Sequence, residues 1–179
     1  LRLLLRARFV VLGGWALAAI VLGAYAASLF SGRQPATVGL DLGLSLIRLC
    51  LPIIGVLMLQ ELISREFERK LFHSTLTYPR PRHHFLLGRL AALGVSLALL
   101  LLVLAGALAA LTHWISTDYA QTTRVALGLH YWITVGFILL DLYVILSLGA
   151  LLAVVASTPS FILIGTLGFM LVARSFSTV

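Results

Sequence analysis

The sequence predicts an all-α fold, a polytopic transmembrane helical bundle, on three observations. Hydrophobic residues make up 61% of the 179 positions and charged residues only 11%, where a soluble domain carries about a quarter charged residues. The mean hydropathy is +1.09. The apolar residues fall in long unbroken runs rather than in two-residue alternation, which favours helices over a membrane barrel. The charge is gathered rather than spread: of 13 Lys and Arg, six (Arg65, Arg69, Lys70, Arg80, Arg82 and Arg89) lie in the polar interruption Ser64–Arg89.

A hydrocarbon core about 30 Å thick needs roughly 20 helical residues, and lipid leaves no partner for an unpaired backbone group. Five segments are read as spans on that basis: about Phe9–Phe30, Leu42–Ile63, Phe85–Leu111, Leu129–Ala156, and a fifth from near Ser160 to Val172 or beyond. The breaks carry turn chemistry. Ser31-Gly32-Arg33-Gln34-Pro35 separates the first two spans, Thr117–Arg124 the third and fourth, and Ser157-Thr158-Pro159-Ser160 the last two. Pro52 and the glycines of spans three to five are expected to allow kinks and close helix packing.

Orientation follows from the cations. Arg2, Arg6 and Arg8 precede the first span and the Ser64–Arg89 loop follows the second, whereas the opposite loops hold only Arg33 and Arg124. Cytoplasmic loops carry the excess of Lys and Arg, so the N-terminus and the 64–89 loop are expected inside. Trp114, Tyr131 and Trp132 then fall near the outer boundary of spans three and four, as an aromatic belt would. The net charge of +7 is explained by this membrane face, with no nucleic-acid partner. The basic-then-apolar N-terminus also describes a signal peptide, but the apolar run is too long and lacks a clear cleavage site. The chain begins at Leu1 and ends just after an apolar run, so part of a longer protein is expected.

The segment Glu61–Tyr78 reads as a helix continuing from, or bending off, the second span. Phe67, Leu71, Phe72 and Leu76 make one apolar stripe, with Arg65, Glu66, Arg69, Lys70 and His73 on much of the remainder. Glu61–Arg65 and Glu66–Lys70 are spaced four apart with the acid first, worth about 0.2–0.5 kcal/mol each. Pro79 disfavours helix at Tyr78, and Pro81 blocks a restart before the chain re-enters the membrane at Phe85. Such a short two-faced helix suits two roles. It can lie on anionic lipid, or it can dock on a partner and carry that partner's movement into the two spans it joins.

The residues Ile63, Arg65, Glu66 and Glu68, followed by Leu76, Pro79, Arg82, Leu86, Leu87, Gly88 and Arg89, resemble the cytoplasmic loop of ABC transporter permeases of the type-2 exporter family. That pattern runs I-x-R-E-x-E, a short amphipathic helix, L-x-x-P-x-x-R, a hydrophobic pair and Gly-Lys. This chain departs from it at Lys70-Leu71, where many members have Gly-Thr, and at Arg89 in place of Lys. The resemblance covers about 27 residues, and the order of spans on both sides also fits.

The resemblance implies that the loop is a coupling helix contacting a separate ABC-type ATP-binding subunit. The contact segment would be Glu66–Leu76, including Glu66, Phe67, Glu68, Arg69, Lys70, Leu71, Phe72 and Leu76, with Pro79 and Arg82 shaping the return into span three. ATP and Mg would belong to that partner, and this chain would hold no cofactor. It also implies six spans per half and a second permease half, identical or homologous, so that residues 1–179 would form the permease domain of an incomplete six-span half. The implied location is the bacterial inner membrane.

Two charges lie deepest within the spans. Asp141 lies near the middle of span four, where a carboxylate costs about 2.5–3.5 kcal/mol on insertion scales, and Arg48 lies in the outer part of span two. They differ in depth by one to two helical turns, which a long arginine side chain can bridge directly or through water. The two readings are an inter-helix polar tie and a place along a substrate path.

The remaining polar residues carry less. His83 and His84 are adjacent and diverge on a helix, without the further ligands a metal needs. His113 and His130 border the outer loop as interfacial residues, and the lone Cys50 reads as a packing residue. No Gly-x-x-x-x-Gly-Lys-Ser/Thr motif and no His-Glu-x-x-His motif occurs in the sequence, so neither ATP binding by this chain nor an enzymatic activity is expected. Two alternatives from other classes stand beside the permease. One is a non-transporting scaffold that recruits a soluble protein or lipid through the basic loop. The other is an ion-coupled secondary carrier with Asp141 as its coupling acid.

Overall fold

The computed structural model describes residues 2–31, 34–68, 82–118, 127–155 and 159–176. Every regular element among them is an α-helix: α1 (Arg2–Phe30), α2 (Pro35–Glu68), α3 (Arg82–Asp118), α4 (Leu129–Val155) and α5 (Pro159–Phe176). Four contain stretches long and apolar enough to cross a membrane: Phe9–Phe30, Pro35–Leu62, Leu87–Thr117 and Leu129–Ala153. The fifth expected span is the exception. Its apolar part, Ser160–Ser175, is shorter, and α5 has 18 residues, about 27 Å at 1.5 Å per residue.

Two helix boundaries differ from those expected, for local chemical reasons. Helix α2 starts at Pro35 rather than Leu42. The Gln34 carbonyl accepts the first helical bond, from Val38 N at 3.3 Å, and the Thr37 hydroxyl donates to the same oxygen at 3.0 Å. Proline suits the first helical position because its missing N–H would be an orphan there in any case. Helix α3 runs through Thr117 to Asp118 rather than stopping near Leu111. The Ser116 and Thr117 hydroxyls donate to the His113 and Trp114 carbonyls, both at 2.6 Å, so these polar residues are satisfied inside the helix. The same device lets Thr112 and Thr166 be buried, bonded to the carbonyls of Leu108 (2.7 Å) and Ile162 (2.6 Å).

The chain divides into two compact units, Leu1–Leu51 with Ala98–Leu140, and Pro52–Leu97 with Asp141–Val179. In the first, α1 and α2 approach through small residues. A methyl group on Gly39 would come within 3.0 Å of the Ala24 carbonyl oxygen, and one on Gly23 within 2.8 Å of Leu46. Ala24 and Ala36 are fully buried. Helix α3 joins through Leu108, which fills the space beside Gly43, and α4 through Tyr131, whose hydroxyl donates to the Ala105 carbonyl at 2.7 Å.

In the second unit, α4 and α5 form an antiparallel hairpin with a contact at each turn. Ala153 clusters with Ile162, Leu152 lies against Gly165, Gly149 against Thr166, and Ile145 clusters with Met170. Helix α2 packs on it through Val56 and Leu59, and α3 through Leu90 and Leu93. Gly94 accepts the Tyr143 ring, and Gly55 lies between Leu97 and Leu146. Without a hydrophobic driving force in lipid, such close approach is what holds helices together. The expectation that glycines in spans three to five permit packing holds at Gly94, Gly149 and Gly165, but Gly106, Gly136 and Gly168 face open space. Pro52 sits buried within α2, which is not broken there.

Candidate docking segment and the Asp141–Arg174 pair

Helix α2 carries the first functional candidate. Its apolar part, Pro35–Leu62, runs without interruption into Ile63–Glu68. At 34 residues it is about 51 Å long, well over the about 30 Å of a hydrocarbon core. Helix α2 is therefore unbroken from its apolar part to Glu68. Glu66, Phe67 and Glu68 lie in its last turn. Arg69, Lys70, Leu71, Phe72, Leu76 and Pro79, and with them the expected helix to Tyr78, lie outside the described residues. Arg82 is the first residue of α3, directly after Pro81.

The second candidate is Asp141. By sequence, Arg48 is a residue whose side chain is long enough to reach it. The structure puts the Arg174 guanidinium 3.8 Å from the Asp141 carboxylate, with the side chains 28% and 49% exposed respectively. The antiparallel hairpin explains the match. Asp141 stands fourteen residues before the end of α4 at Val155, and Arg174 fifteen after the start of α5 at Pro159, so both lie at the same height. Arg174 is a cation in the fifth expected span, beyond its apolar core, and its distance from the 156–158 break matches that of the acid in the fourth. Arg48 is exposed on α2, and Pro52 offers no N–H to its carbonyl four residues earlier.

Tyr131 corrects a second expectation. Placed in an outer aromatic belt by sequence, it is 3% exposed and bonded to the Ala105 carbonyl. Its neighbour Trp132 stacks edge-on against it at 5.5 Å and is exposed, as is Trp114. These two remain suited to a membrane boundary. Burial of a tyrosine requires a partner for its hydroxyl, and a helix carbonyl with a second lone pair supplies one.

His113 and His130 are exposed, and Cys50 is half-buried and free. No group of three or more His, Cys, Asp or Glu that could hold a metal ion occurs among the described residues. Comparison with known proteins adds nothing to the geometry: no family model matches the chain, and no curated protein or solved structure gives a significant match.

Proposed function

We propose that this chain is the membrane-spanning permease subunit of an ATP-driven transporter of the ABC type-2 class, working as an exporter in a bacterial inner membrane. The observation that carries the reading is continuity. A span that extends unbroken to Glu68 is a lever, because force applied at its protruding end reaches the apolar part without a joint to absorb it. The order Ile63, Arg65, Glu66, Glu68, Leu76, Pro79, Arg82 and Leu86-Leu87-Gly88-Arg89 supports the same assignment through its resemblance to the coupling loop of those permeases.

In this reading the N-terminus and the 64–89 loop are cytoplasmic, α5 is the fifth span, and a separate subunit holds ATP and Mg. Closure of that subunit pushes on the 66–76 segment, rocks α2 and α3, and shifts the assembly between inward-open and outward-open states. The transported substrate passes between two permease halves, so one chain need not enclose a path. The ion pair of Asp141 with Arg174 favours an inter-helix tie over an ion-coupling role, since an incoming cation would compete with the guanidinium already present.

The test is reconstitution. Tagged chain purified from its native membranes should bring a phosphate-loop ATPase subunit in stoichiometric amount, and transport into inverted vesicles should require ATP. Charge reversal at Glu66 and Glu68 should weaken both at least tenfold. Transport that runs on an ion gradient without ATP and disappears in Asp141→Asn would replace the proposal with a secondary carrier.

A further inference from the structure

The exposed faces of the spans differ in kind. On α1 between Val10 and Phe30, and on α3 between Leu87 and Ala110, no exposed position carries a charge. On α2, Asp41, Ser45 and Arg48 are all exposed. With the half-buried Thr37 they recur every three or four residues, the spacing of one helix face. Exposed apolar residues, Val38, Leu42 and Leu49, run beside them. The open side of α2 is therefore split lengthwise into a polar stripe and an apolar one.

The start of α2 at Pro35 also sets the depth of Arg48. It is the fourteenth of the 28 residues in the apolar stretch Pro35–Leu62, about 20 Å from either end. A snorkelling side chain does not reach that far, and a charge costs most at mid-span. The Ser45 hydroxyl donates to the Asp41 carbonyl at 2.8 Å and the Thr37 hydroxyl to that of Gln34 at 3.0 Å. The hydroxyls are thus satisfied within the chain, and the two charges are what demand polar surroundings. Such residues in a span face protein or a water-filled cavity. Gly39 and Gly43, which admit α1 and Leu108 of α3, lie on the opposite face of α2, so the stripe itself offers no such seat for a helix.

We propose that the Thr37–Arg48 stripe lines a water-filled cleft that opens at the start of α2 and admits polar, water-soluble solutes to mid-span. Asp41 and Arg48 stand one turn to either side of Ser45, so a solute at that depth meets an acceptor and a donor together. In the permease this stripe is a wall along which cargo moves, and that cargo is a hydrated polar solute rather than one dissolved in the bilayer. The inference rests on the permease reading for that use alone. Its test involves neither ATP nor an ATPase subunit, so its failure leaves that reading standing.

Single cysteines in the full chain, in a Cys50→Ser background, report water at each position. The readout is their rate of reaction with small charged methanethiosulfonates in membrane fragments open on both sides. Ser45→Cys should react at least tenfold faster than Leu42→Cys or Leu49→Cys. Leu42 lies nearer the start of the helix than Ser45, so a simple gradient from the membrane boundary gives the opposite order for these two.

Charge supplies the second readout. In the Ser45→Cys form, Arg48→Gln should slow the anionic reagent and speed the cationic one, each about threefold, the effect of a unit charge one turn away in water. Asp41→Asn should do the reverse. Both variants remove a charge from the span rather than add one, and cysteine nearly matches serine in size, so the chain keeps its fold. A Ser45→Cys rate no faster than that of Leu42→Cys, or a reagent preference that neither neutral variant moves, would overturn the proposal and give the stripe to lipid headgroups or to another polypeptide.

Discussion

The end of α2 and the α4–α5 hairpin handle charge in opposite ways. After Leu62 the sequence gathers acids and bases, Arg65, Glu66 and Glu68 among them, on a helix that has already run past its apolar part. In the hairpin, one acid and one base lie on two largely apolar helices, and the structure joins them at 3.8 Å. In the proposed reading the charge at the end of α2 serves a partner, whereas the ion pair in the hairpin joins two helices. Substitutions in the two places should therefore fail in different assays.

The largest effect on stability belongs to the hairpin. Arg174→Ala strands a carboxylate in the apolar segment and should destabilise the chain by about 2.5–3.5 kcal/mol, the cost of an aspartate at a span centre. Asp141→Asn/Arg174→Gln should recover most of that loss. Cys50 is the one cysteine of the sequence, so thermal unfolding followed by a thiol-reactive fluorophore reads these values in detergent. Equal stability of Arg174→Ala and wild type would erase the distinction between the two regions.

Next is the α1–α2 contact, where Gly39→Val would drive a side chain against the Ala24 carbonyl oxygen, 3.0 Å from the first added carbon. Backbone cannot swing away as a leucine tip can, and overpacking costs about 1–3 kcal/mol. Gly149→Ala meets side chains rather than backbone, the flexible end of Leu59 at 2.8 Å and the Thr166 hydroxyl at 3.3 Å, and should lose less in the same assay. Removal of the Tyr131 hydroxyl as Phe should cost about 0.6 kcal/mol, a typical interhelical hydrogen bond in a membrane protein, since the ring still fills its site. The smallest stability change is expected for Glu66→Gln/Glu68→Gln, within about 0.5 kcal/mol, although this pair should lower partner binding.

The helical class and four of the spans were legible because uninterrupted apolar runs leave a chain in lipid few alternatives to helix. Their ends were less so. Pro35 closes a run of turn residues in the sequence, although a proline behind Gln34 is also a helix start. Ser116 and Thr117 looked like loop residues because composition does not reveal that a hydroxyl can bond back to its own helix. At the candidate sites, the sequence left open whether the segment after Ile63 continues from the second span or bends off it, and α2 is helical to Glu68. The pairing of Asp141 with Arg174 was not legible, because only the antiparallel packing of α5 on α4 sets the two opposite each other. Tyr131 was assigned to a belt by its position in sequence, and only the packing of α4 on α3 separates it from Trp132.

The most direct test of the account is whether a force-supplying ATPase engages the end of α2. Single cysteines at Phe67 and Glu68, in a Cys50→Ser background, can be joined by a short bifunctional reagent in native membranes and the products identified by mass. The account predicts one dominant adduct, a phosphate-loop ATPase subunit, whose yield changes when ATP is added and falls at least tenfold when Glu66→Lys is introduced. Adducts with lipid alone, or with no ATPase under any nucleotide condition, would contradict it.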